Sequence, residues 1–147
     1  MSGEHIPAAL KREVWDLARG ICEYCRSQAR FSMQPLSVEH VIPRSRNGPT
    51  SLENLAVACQ GCNNHKYNRA HVHDPVSGAL VPPFNPRTQV WLDHFAWNDD
   101  ASLVLGLTPV GRATVDALRL NREGLINLRR VLFAAGEHPP SEPVRGQ

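Results

Sequence analysis

The chain has 147 residues, of which 41% are hydrophobic, and its formal net charge is +2. This length is enough for one compact domain, or for a small metal-stabilised module with an appendage. The charge is too small to indicate a nucleic-acid partner, so any basic surface must be local. No run of the sequence approaches the roughly 18 apolar residues of a membrane span. The first residues contain no basic region followed by an apolar run, so a secretory signal is not predicted and a cytoplasmic protein is expected.

The first half of the chain is predicted to fold as a helix followed by a β, loop, β, α unit. Residues 7–19 combine a first-turn proline with apolar residues at helical spacing. Short strands are predicted at 36–42 and 55–58, separated by a loop that Gly and Pro mark. The segment 50–53 fits a capping box that opens a helical turn, and a polar helix is predicted from Cys62 onward.

Four cysteines form two C-x-x-C pairs, Cys22 with Cys25 and Cys59 with Cys62, with an insert of 33 residues between the pairs. A C-x-x-C turn presents two thiolates to one ion, and zinc prefers four soft ligands in a tetrahedron. Two such turns fill the shell, which predicts a structural Zn²⁺ whose binding is coupled to folding. A redox role for either pair is the alternative, but neither pair opens a helix after a thioredoxin-like strand.

A carboxylate and a histidine are adjacent in the insert, at Glu39 and His40. Hydrolysis of a phosphodiester requires an activated water, and a neutral histidine can take the proton of that water near pH 7. A hard divalent cation held by oxygen ligands can bind a phosphate oxygen and the leaving group. Adjacent side chains on a strand point to opposite faces, so the backbone must bend if both residues serve one site. Taken alone, the pair also fits a surface carboxylate beside a half-buried histidine.

The surrounding pattern resembles the HNH endonucleases, in the branch of that family whose motif lies between zinc-binding cysteine pairs. The resemblance rests on Glu-His-Val-Ile-Pro at 39–43, on Asn54 fourteen residues after the histidine, and on Asn63 nine residues later. Lys66 follows three residues after that, and the resemblance covers roughly residues 15–69. Proteins of this family have the ββα-metal fold.

The resemblance implies a role for each motif residue. His40 matches the general base, and Glu39 matches the acidic metal ligand before it, which is usually aspartate in the family. Asn54 matches the central asparagine, which braces the loop and orients the histidine, although an ordinary turn-capping role is the alternative. Asn63 matches the last motif position, a metal ligand that is histidine or asparagine among relatives. Oxygen ligands from Glu39 and Asn63 favour Mg²⁺ or Mn²⁺ as the catalytic ion.

The family holds DNA across the insert, so Arg44, Arg46 and Lys66 are the candidates for phosphate contacts. Such contacts position the duplex and carry no sequence information. His65 is interpreted as an exposed residue without a role, and a metal or phosphate contact is the alternative for it.

The function implied is a metal-dependent DNA endonuclease that hydrolyses phosphodiester bonds with a histidine-activated water and one divalent cation. One cation per site cuts one strand, so a double-strand break would require a homodimer or two successive nicks. One alternative is a zinc-finger-like nucleic-acid-binding module without activity. A protein-interaction domain is the other alternative, and it would have no salt-dependent affinity for nucleic acid.

The predicted fold class is α+β. Residues 1–74 form a small zinc-stapled ββα-metal module with an N-terminal helix, and the Pro- and Gly-rich segment 75–87 is a connector. Residues 88–138 form a hairpin and two helices packed on the module, and 139–147 are a flexible tail. This C-terminal part resembles the extension of some small stand-alone HNH proteins and is expected to complete the core. Its predicted elements are strands at 88–97 and 103–107, a helix at 108–120, and a second helix that Asn121 caps and Gly136 ends.

Overall fold

A computed structural model of the protein describes residues 5–142, so the predicted tail lies outside the described residues from residue 143 onward. The described residues form five α-helices and six short strands, and the strands pair as three antiparallel hairpins. The predicted mixed α and β class is therefore confirmed. These helices are all too short or too polar to cross a membrane. The elements are α1 Ala8–Ala18, β1 Ser37–His40, β2 Leu55–Ala58, α2 Gln60–Lys66, β3 Val72–His73, β4 Leu80–Val81, α3 Trp91–His94, β5 Phe95–Trp97, β6 Val104–Gly106, α4 Pro109–Ala117 and α5 Glu123–Ala134.

The hairpin of β1 and β2, followed by α2, forms the predicted ββα unit. His40 is the last residue of β1 and lies opposite Leu55, the first residue of β2. All four residues of β2 are buried, and α1 packs against both strands. Beyond His40 the chain leaves the hairpin and enters a 3-10 turn at Arg44–Arg46. The strand predicted at 36–42 is therefore shorter than expected.

An aromatic cluster joins the C-terminal part to the first C-x-x-C turn. Trp91 and Phe95 are buried, with their ring centroids 5.0 Å apart. Phe84 packs edge-on against Phe95 at 5.2 Å. The indole N–H of Trp91 donates a hydrogen bond of 3.0 Å to the backbone carbonyl of Tyr24. The two halves of the chain thus share one hydrophobic core.

The strand predicted at 88–97 is wrong in its first part, because Trp91–His94 is the helix α3. The backbone N–H of Asp93 donates to the carbonyl of Val90 at 3.0 Å, which closes a turn. Leu92 and Asp93 are exposed side by side, whereas a half-buried strand would alternate. The strand itself begins only at Phe95.

The last helix begins later than predicted, at Glu123, with Arg122 rather than Asn121 as its N-cap. The side chain of Asn121 bonds to the backbone of β6 and does not cap the helix. Its Oδ1 accepts the N–H of Val104 at 2.8 Å, and its Nδ2 donates to the carbonyl of the same residue at 2.9 Å. These two bonds satisfy the backbone at the start of β6, so Asn121 takes the place of a strand neighbour.

The segment predicted as a connector contains β4, which pairs with β3. The turn between these strands begins at Asp74, whose carboxylate accepts the N–H of Val76 at 3.1 Å. Arg112 of α4 pairs with the same carboxylate at 2.8 Å and, together with Ser77, holds the pKa of Asp74 well below its usual range. This hairpin is therefore attached to the C-terminal helices by a charged contact.

The described end of the chain lies against the region around the first C-x-x-C turn. Arg26 donates two hydrogen bonds to the carboxylate of Glu142, at 2.6 and 2.8 Å. Arg19 donates to the backbone carbonyl of Ser141 at 2.7 Å. Ser141 and Glu142 of the predicted tail are thus bonded to the rest of the protein.

Candidate active site and metal centre

The four cysteines of the two C-x-x-C turns converge on one point. Their sulfur atoms all lie within 4.8 Å of one another, and Cys25 Sγ lies 3.7 Å from Cys59 Sγ. A tetrahedral ion with zinc–sulfur bonds of about 2.3 Å holds its sulfurs about 3.8 Å apart. All four thiols are free and buried. The spacing and donor type therefore fit a structural Zn²⁺ held by Cys22, Cys25, Cys59 and Cys62.

Contacts with β2 bring the two cysteine turns together. The backbone N–H of Glu23, in the first turn, donates to the carbonyl of Val57 at 2.9 Å, and the N–H of Val57 donates to the Glu23 carboxylate at 3.0 Å. Val57 lies two residues before Cys59, so the first turn is fixed to the strand that leads into the second. Cys59 then caps α2, and its sulfur accepts the N–H of Cys62 at 3.5 Å. The expectation that neither pair opens a helix after a strand is therefore wrong for the second pair, and the convergence of all four sulfurs is the observation that favours a metal. Arg87, the last residue of the predicted connector, forms an ion pair with Glu23.

Arg122 lies over the second cysteine pair. Its guanidinium nitrogens approach Cys59 Sγ at 3.7 Å and Cys62 Sγ at 3.8 Å. Gly61 lies between these two cysteines, and a Cβ at that position would come within 2.6 Å of the guanidinium, so glycine leaves room for the approach. Four thiolates around one Zn²⁺ carry a net negative charge, which a nearby guanidinium offsets. The C-terminal part thus contributes a cation to the cluster.

The thiols also affect one another's protonation. Burial raises the pKa of Cys22 well above that of a free thiol. Hydrogen bonds from Cys22, Cys25 and Cys62 lower the pKa of Cys59. The pKa of Cys25 is lowered as well and that of Cys62 is raised, so metal binding would release the protons that the raised thiols hold.

His40 is fixed against the loop that follows it. The residue is 8% exposed, and its Nε2 lies 2.8 Å from the hydroxyl oxygen of Thr50. Thr50 also accepts a hydrogen bond of 3.2 Å from the guanidinium of Arg44. A hydrogen bond at one ring nitrogen sets the orientation of the imidazole and decides which nitrogen carries the proton. The Thr50 hydroxyl thus fixes the orientation of His40, the predicted base.

Asn54 and Gly48 close the loop at 41–50. Asn54 is buried, its Oδ1 accepts the N–H of Ile42 at 2.8 Å, and its Nδ2 donates to the carbonyls of Ile42 at 3.0 Å and Pro49 at 2.8 Å. A Cβ on Gly48 would lie 1.7 Å from the carbonyl oxygen of Ile42 and 2.9 Å from Asn54 Nδ2. The loop is therefore held in one closed conformation beside the histidine.

Glu39 and His40 leave β1 on opposite faces. Burial alternates along the strand, so that Glu39 is half-buried where His40 is buried. The Glu39 carboxylate accepts a hydrogen bond of 2.7 Å from the hydroxyl of Ser37. Burial lowers the pKa of Lys66 to about 8, and the charge of Glu39 opposes that change. Glu39 is thus close enough to α2 for the two charges to interact.

Asn63 is half-buried on α2, and none of the described residues donates to or accepts from its side-chain amide. Its amide oxygen and the Glu39 carboxylate are the hard oxygen donors that Mg²⁺ and Mn²⁺ prefer. Within residues 5–142, the cysteine cluster is the only group of three or more His, Cys, Asp or Glu side chains that could hold an ion. A cation at Glu39 and Asn63 would therefore take its other ligands from water and phosphate, which is usual for Mg²⁺.

The three cations predicted to contact phosphate lie in two different environments. Arg44 and Arg46 are exposed on the loop, where Arg46 donates to the carbonyl of Asn68 at 3.2 Å. Lys66 is only 3% exposed, and its ammonium donates to the carbonyl of Val41 at 2.9 Å. Lys66 is therefore an internal link between α2 and the end of β1, and it is not placed to meet DNA.

The sequence did not reveal three residues that shape these sites: Thr50, Gly48 and Arg122. Thr50 was predicted to belong to a capping box at 50–53, but the 3-10 turn there has Ser51 as its N-cap and no side-chain cap. The Thr50 hydroxyl is bonded to the histidine instead. Gly48 offers a partial signal, because glycine in a loop often marks a close backbone approach. Arg122 offers none, since it is 60 residues from Cys62 in the sequence.

Residues 22–69 match the family model of the HNH endonucleases. Comparisons with curated proteins and with solved structures gave no match. The matched segment begins at the first cysteine of the cluster and ends just after α2, so it contains both C-x-x-C turns and the ββα unit. Residues 22–69, about a third of the chain, are therefore similar to the HNH endonucleases, which suggests a nuclease.

Proposed function

We propose that the protein is a zinc-stabilised DNA endonuclease that uses one Mg²⁺ or Mn²⁺ per site. The observation that carries this proposal is the arrangement around His40, which is bonded to Thr50 on a loop that Asn54 holds closed. A residue that only fills the core would have no need of a braced polar loop beside it. The family match supplies the reaction class, and this arrangement supplies a base for it.

In the proposed reaction, His40 takes a proton from a water molecule. The water oxygen attacks the phosphorus of a phosphodiester, and the bond from phosphorus to the leaving oxygen breaks. The leaving oxygen takes a proton from solvent, so the products are a phosphate monoester and a hydroxyl. Positioned general bases contribute about a hundredfold or more to such steps. Asn54 is a positioning residue here, because it acts on the loop and contacts no reacting atom in this scheme.

Glu39 and Asn63 are the proposed ligands of the catalytic cation. Because Glu39 and His40 leave β1 on opposite faces, the proposal requires the backbone to bend between them when the cation and DNA bind. When bound, this ion would stabilise the negative charge on the phosphate and on the leaving oxygen. The amide of Asn63 is suited to this role because the described residues do not engage it, and Glu39 has one carboxylate oxygen bonded to Ser37. Cys22, Cys25, Cys59 and Cys62 would hold the structural zinc.

DNA is the proposed substrate, and Arg44 and Arg46 are the proposed phosphate contacts beside the active site. Both side chains are exposed on the loop that carries Thr50. With one cation per site each domain would cut one strand, so a double-strand break would need a homodimer or two successive nicks. Lys66 has no part in this interface because it is buried.

A plasmid-relaxation assay with the full chain tests the proposal. Supercoiled DNA should be nicked in the presence of Mg²⁺ or Mn²⁺ and remain intact with EDTA. His40→Ala should lower the cleavage rate about a hundredfold or more, while zinc content and thermal midpoint stay near those of the native protein. His71→Ala is the matched control, because His71 is an exposed histidine outside the matched segment.

Two results would contradict the proposal. Native-rate cleavage by His40→Ala would remove this histidine from the mechanism. DNA that binds the native protein with salt-dependent affinity but is never cut with either metal would favour the zinc-finger-like binding module instead.

A further inference from the structure

A basic groove lies between α2 and the C-terminal helices, outside the proposed active site. It encloses about 830 Å³, and its lining includes Arg69, which follows α2, and Arg119 and Arg122, which lie between α4 and α5. His65 of α2 also lines it, and Asp116 is its one acidic residue among those described. The family match ends at residue 69, so two of the three guanidinium groups come from outside the matched segment.

The positive charge of this groove is only partly neutralised within the protein. Three guanidinium groups and one carboxylate line it. Arg122 also faces the thiolates of the cysteine cluster, but Arg69 and Arg119 take part in none of the ion pairs among the described residues. Like charges held close together repel one another unless an anion lies between them. A groove of this size and charge therefore favours an extended polyanion.

Two of the arginines are held by the protein, and the third is exposed. Arg69 donates to the backbone carbonyl of Ala117 at 2.8 Å, and Arg122 donates to that of Leu118 at 2.9 Å. Arg119 is exposed and has a backbone φ of 50°. A residue other than glycine in this left-handed region costs about 1 kcal/mol, and helices prefer glycine just past their last turn. The Arg119 guanidinium donates to none of the described residues, so it can reach an anion in the groove.

The groove lies on the flank of α2 opposite to Asn63. A helix with 3.6 residues per turn places residues two apart about 200° apart around its axis, so His65 and Asn63 project from nearly opposite sides. Cys62 and Lys66 are the buried residues of this helix and define its inner face. A helix is about 10–12 Å wide with its side chains, and this width separates the groove from the proposed cation ligands.

We propose that this groove binds the phosphate backbone of the DNA substrate, at a place away from the bond that is cut. The inference rests on the proposed function, since it assigns a second contact surface to the same DNA. α2 would then have the scissile phosphate on its Asn63 flank and another stretch of backbone on its Arg119 flank. The C-terminal part would increase affinity for DNA, and it would take no part in the chemical step.

Arg119→Asn tests the groove, and Arg19→Asn is the matched control. Both arginines are exposed and lie in the left-handed region, with φ of 50° and 57°, which asparagine tolerates. Arg19 does not line the groove. Both changes remove one charge and relieve the same backbone conformation. Arg19→Asn also removes the hydrogen bond to the Ser141 carbonyl, so the thermal midpoint of each variant is measured beside its affinity.

Binding of a short duplex is measured by fluorescence anisotropy over a range of salt concentrations, in the His40→Ala background so that the DNA stays intact. Arg119→Asn should lower the slope of log affinity against log salt by about 0.9, the contribution of one phosphate contact. With equal affinities at about 1 M salt, this difference in slope makes the affinity of the variant about eightfold lower than that of the parent protein at about 0.1 M salt. Arg19→Asn should leave the slope unchanged. In the cleaving protein, Arg119→Asn should raise KM and leave kcat unchanged.

An unchanged slope in Arg119→Asn, or an equal decrease in Arg19→Asn, would overturn the inference. The proposed nuclease function fails separately, if the native protein binds DNA but does not cut it. In that case a slope that Arg119→Asn alone decreases would still support the groove as a DNA contact.

Discussion

The cysteine cluster and the loop at 41–50 lie in the same matched segment, but they are held in place in different ways. The cluster depends on side chains from beyond the matched segment, because Arg122 approaches two of its sulfurs and Arg87 pairs with Glu23 in the first turn. The loop depends on its own neighbourhood. Among the described residues, its side-chain hydrogen bonds run to partners between residues 40 and 68.

This difference indicates that the cysteine cluster stabilises the fold and that the loop orients His40. Two short strands and a helix bury too little apolar surface to be stable alone, so the metal and the C-terminal part together must supply stability. The loop only has to orient a histidine, which a few hydrogen bonds and one glycine accomplish. Changes in the loop should therefore spare the metal, and changes around the metal should spare the loop.

Gly48→Ala should break the loop and produce the largest effect. The added methyl group would collide with the carbonyl of Ile42, and backbone cannot yield as a flexible side chain can. We expect a loss of about 3 kcal/mol in the free energy of unfolding and a cleavage rate lowered by about a hundredfold, because the histidine would be misplaced by an ångström or so. Zinc stoichiometry should remain at the native value.

Gly124→Ala is the control for that experiment. Gly124 lies in α5, and a Cβ there meets nothing within 4 Å. Alanine is a better helix former by about 1 kcal/mol, so this variant should be equally or more stable and should cut DNA at the native rate. Cleavage by Gly48→Ala at the native rate would show that the closed loop conformation is not required.

Patterns among residues close together in the sequence were sufficient to predict the ββα unit and the cysteine cluster. The β1, β2 and α2 unit and the convergence of the four cysteines follow from spacings within about forty residues. Contacts over longer separations left no such signal. Asn121 looked like a helix cap but bonds to Val104, and Lys66 looked like a surface cation but is buried under β1. In both cases a tertiary partner satisfied a polar group that local rules would have assigned to a cap or to solvent.

Arg122→Gln should weaken the metal site without changing the loop. Replacement removes the cation near Cys59 and Cys62 but keeps a long polar side chain. Loss of partners outside the ligand shell lowers metal affinity by about tenfold to a hundredfold in other sites, and we expect the lower end of that range. Competition with a chelator, in the absence of DNA, measures the zinc affinity. Arg130→Gln is the control, since Arg130 is an exposed arginine on the same helix.

Zinc affinity lowered equally by both variants would mean that net charge matters and that the specific approach to sulfur does not. With Arg122→Gln loaded with zinc, kcat for DNA cleavage should equal that of the native protein. A decrease in kcat under saturating zinc would contradict the separation between the metal scaffold and the loop.

Thr50→Val should have the smallest effect of these changes, because it tests one hydrogen bond of the loop and not the closed conformation of the whole loop. Valine keeps the shape of threonine and removes the hydroxyl that lies 2.8 Å from His40. One such hydrogen bond contributes about 0.5–1.5 kcal/mol net, so we expect kcat to fall by a factor of about 2 to 10 while KM and zinc content stay constant.

Thr50→Ser restores the hydroxyl and should recover most of the rate. In a His40→Ala background the Thr50→Val change should have no further effect, because the ring that the hydroxyl orients is gone. An additive loss in the double variant would mean that Thr50 acts through another group, such as the Arg44 guanidinium that also bonds to it.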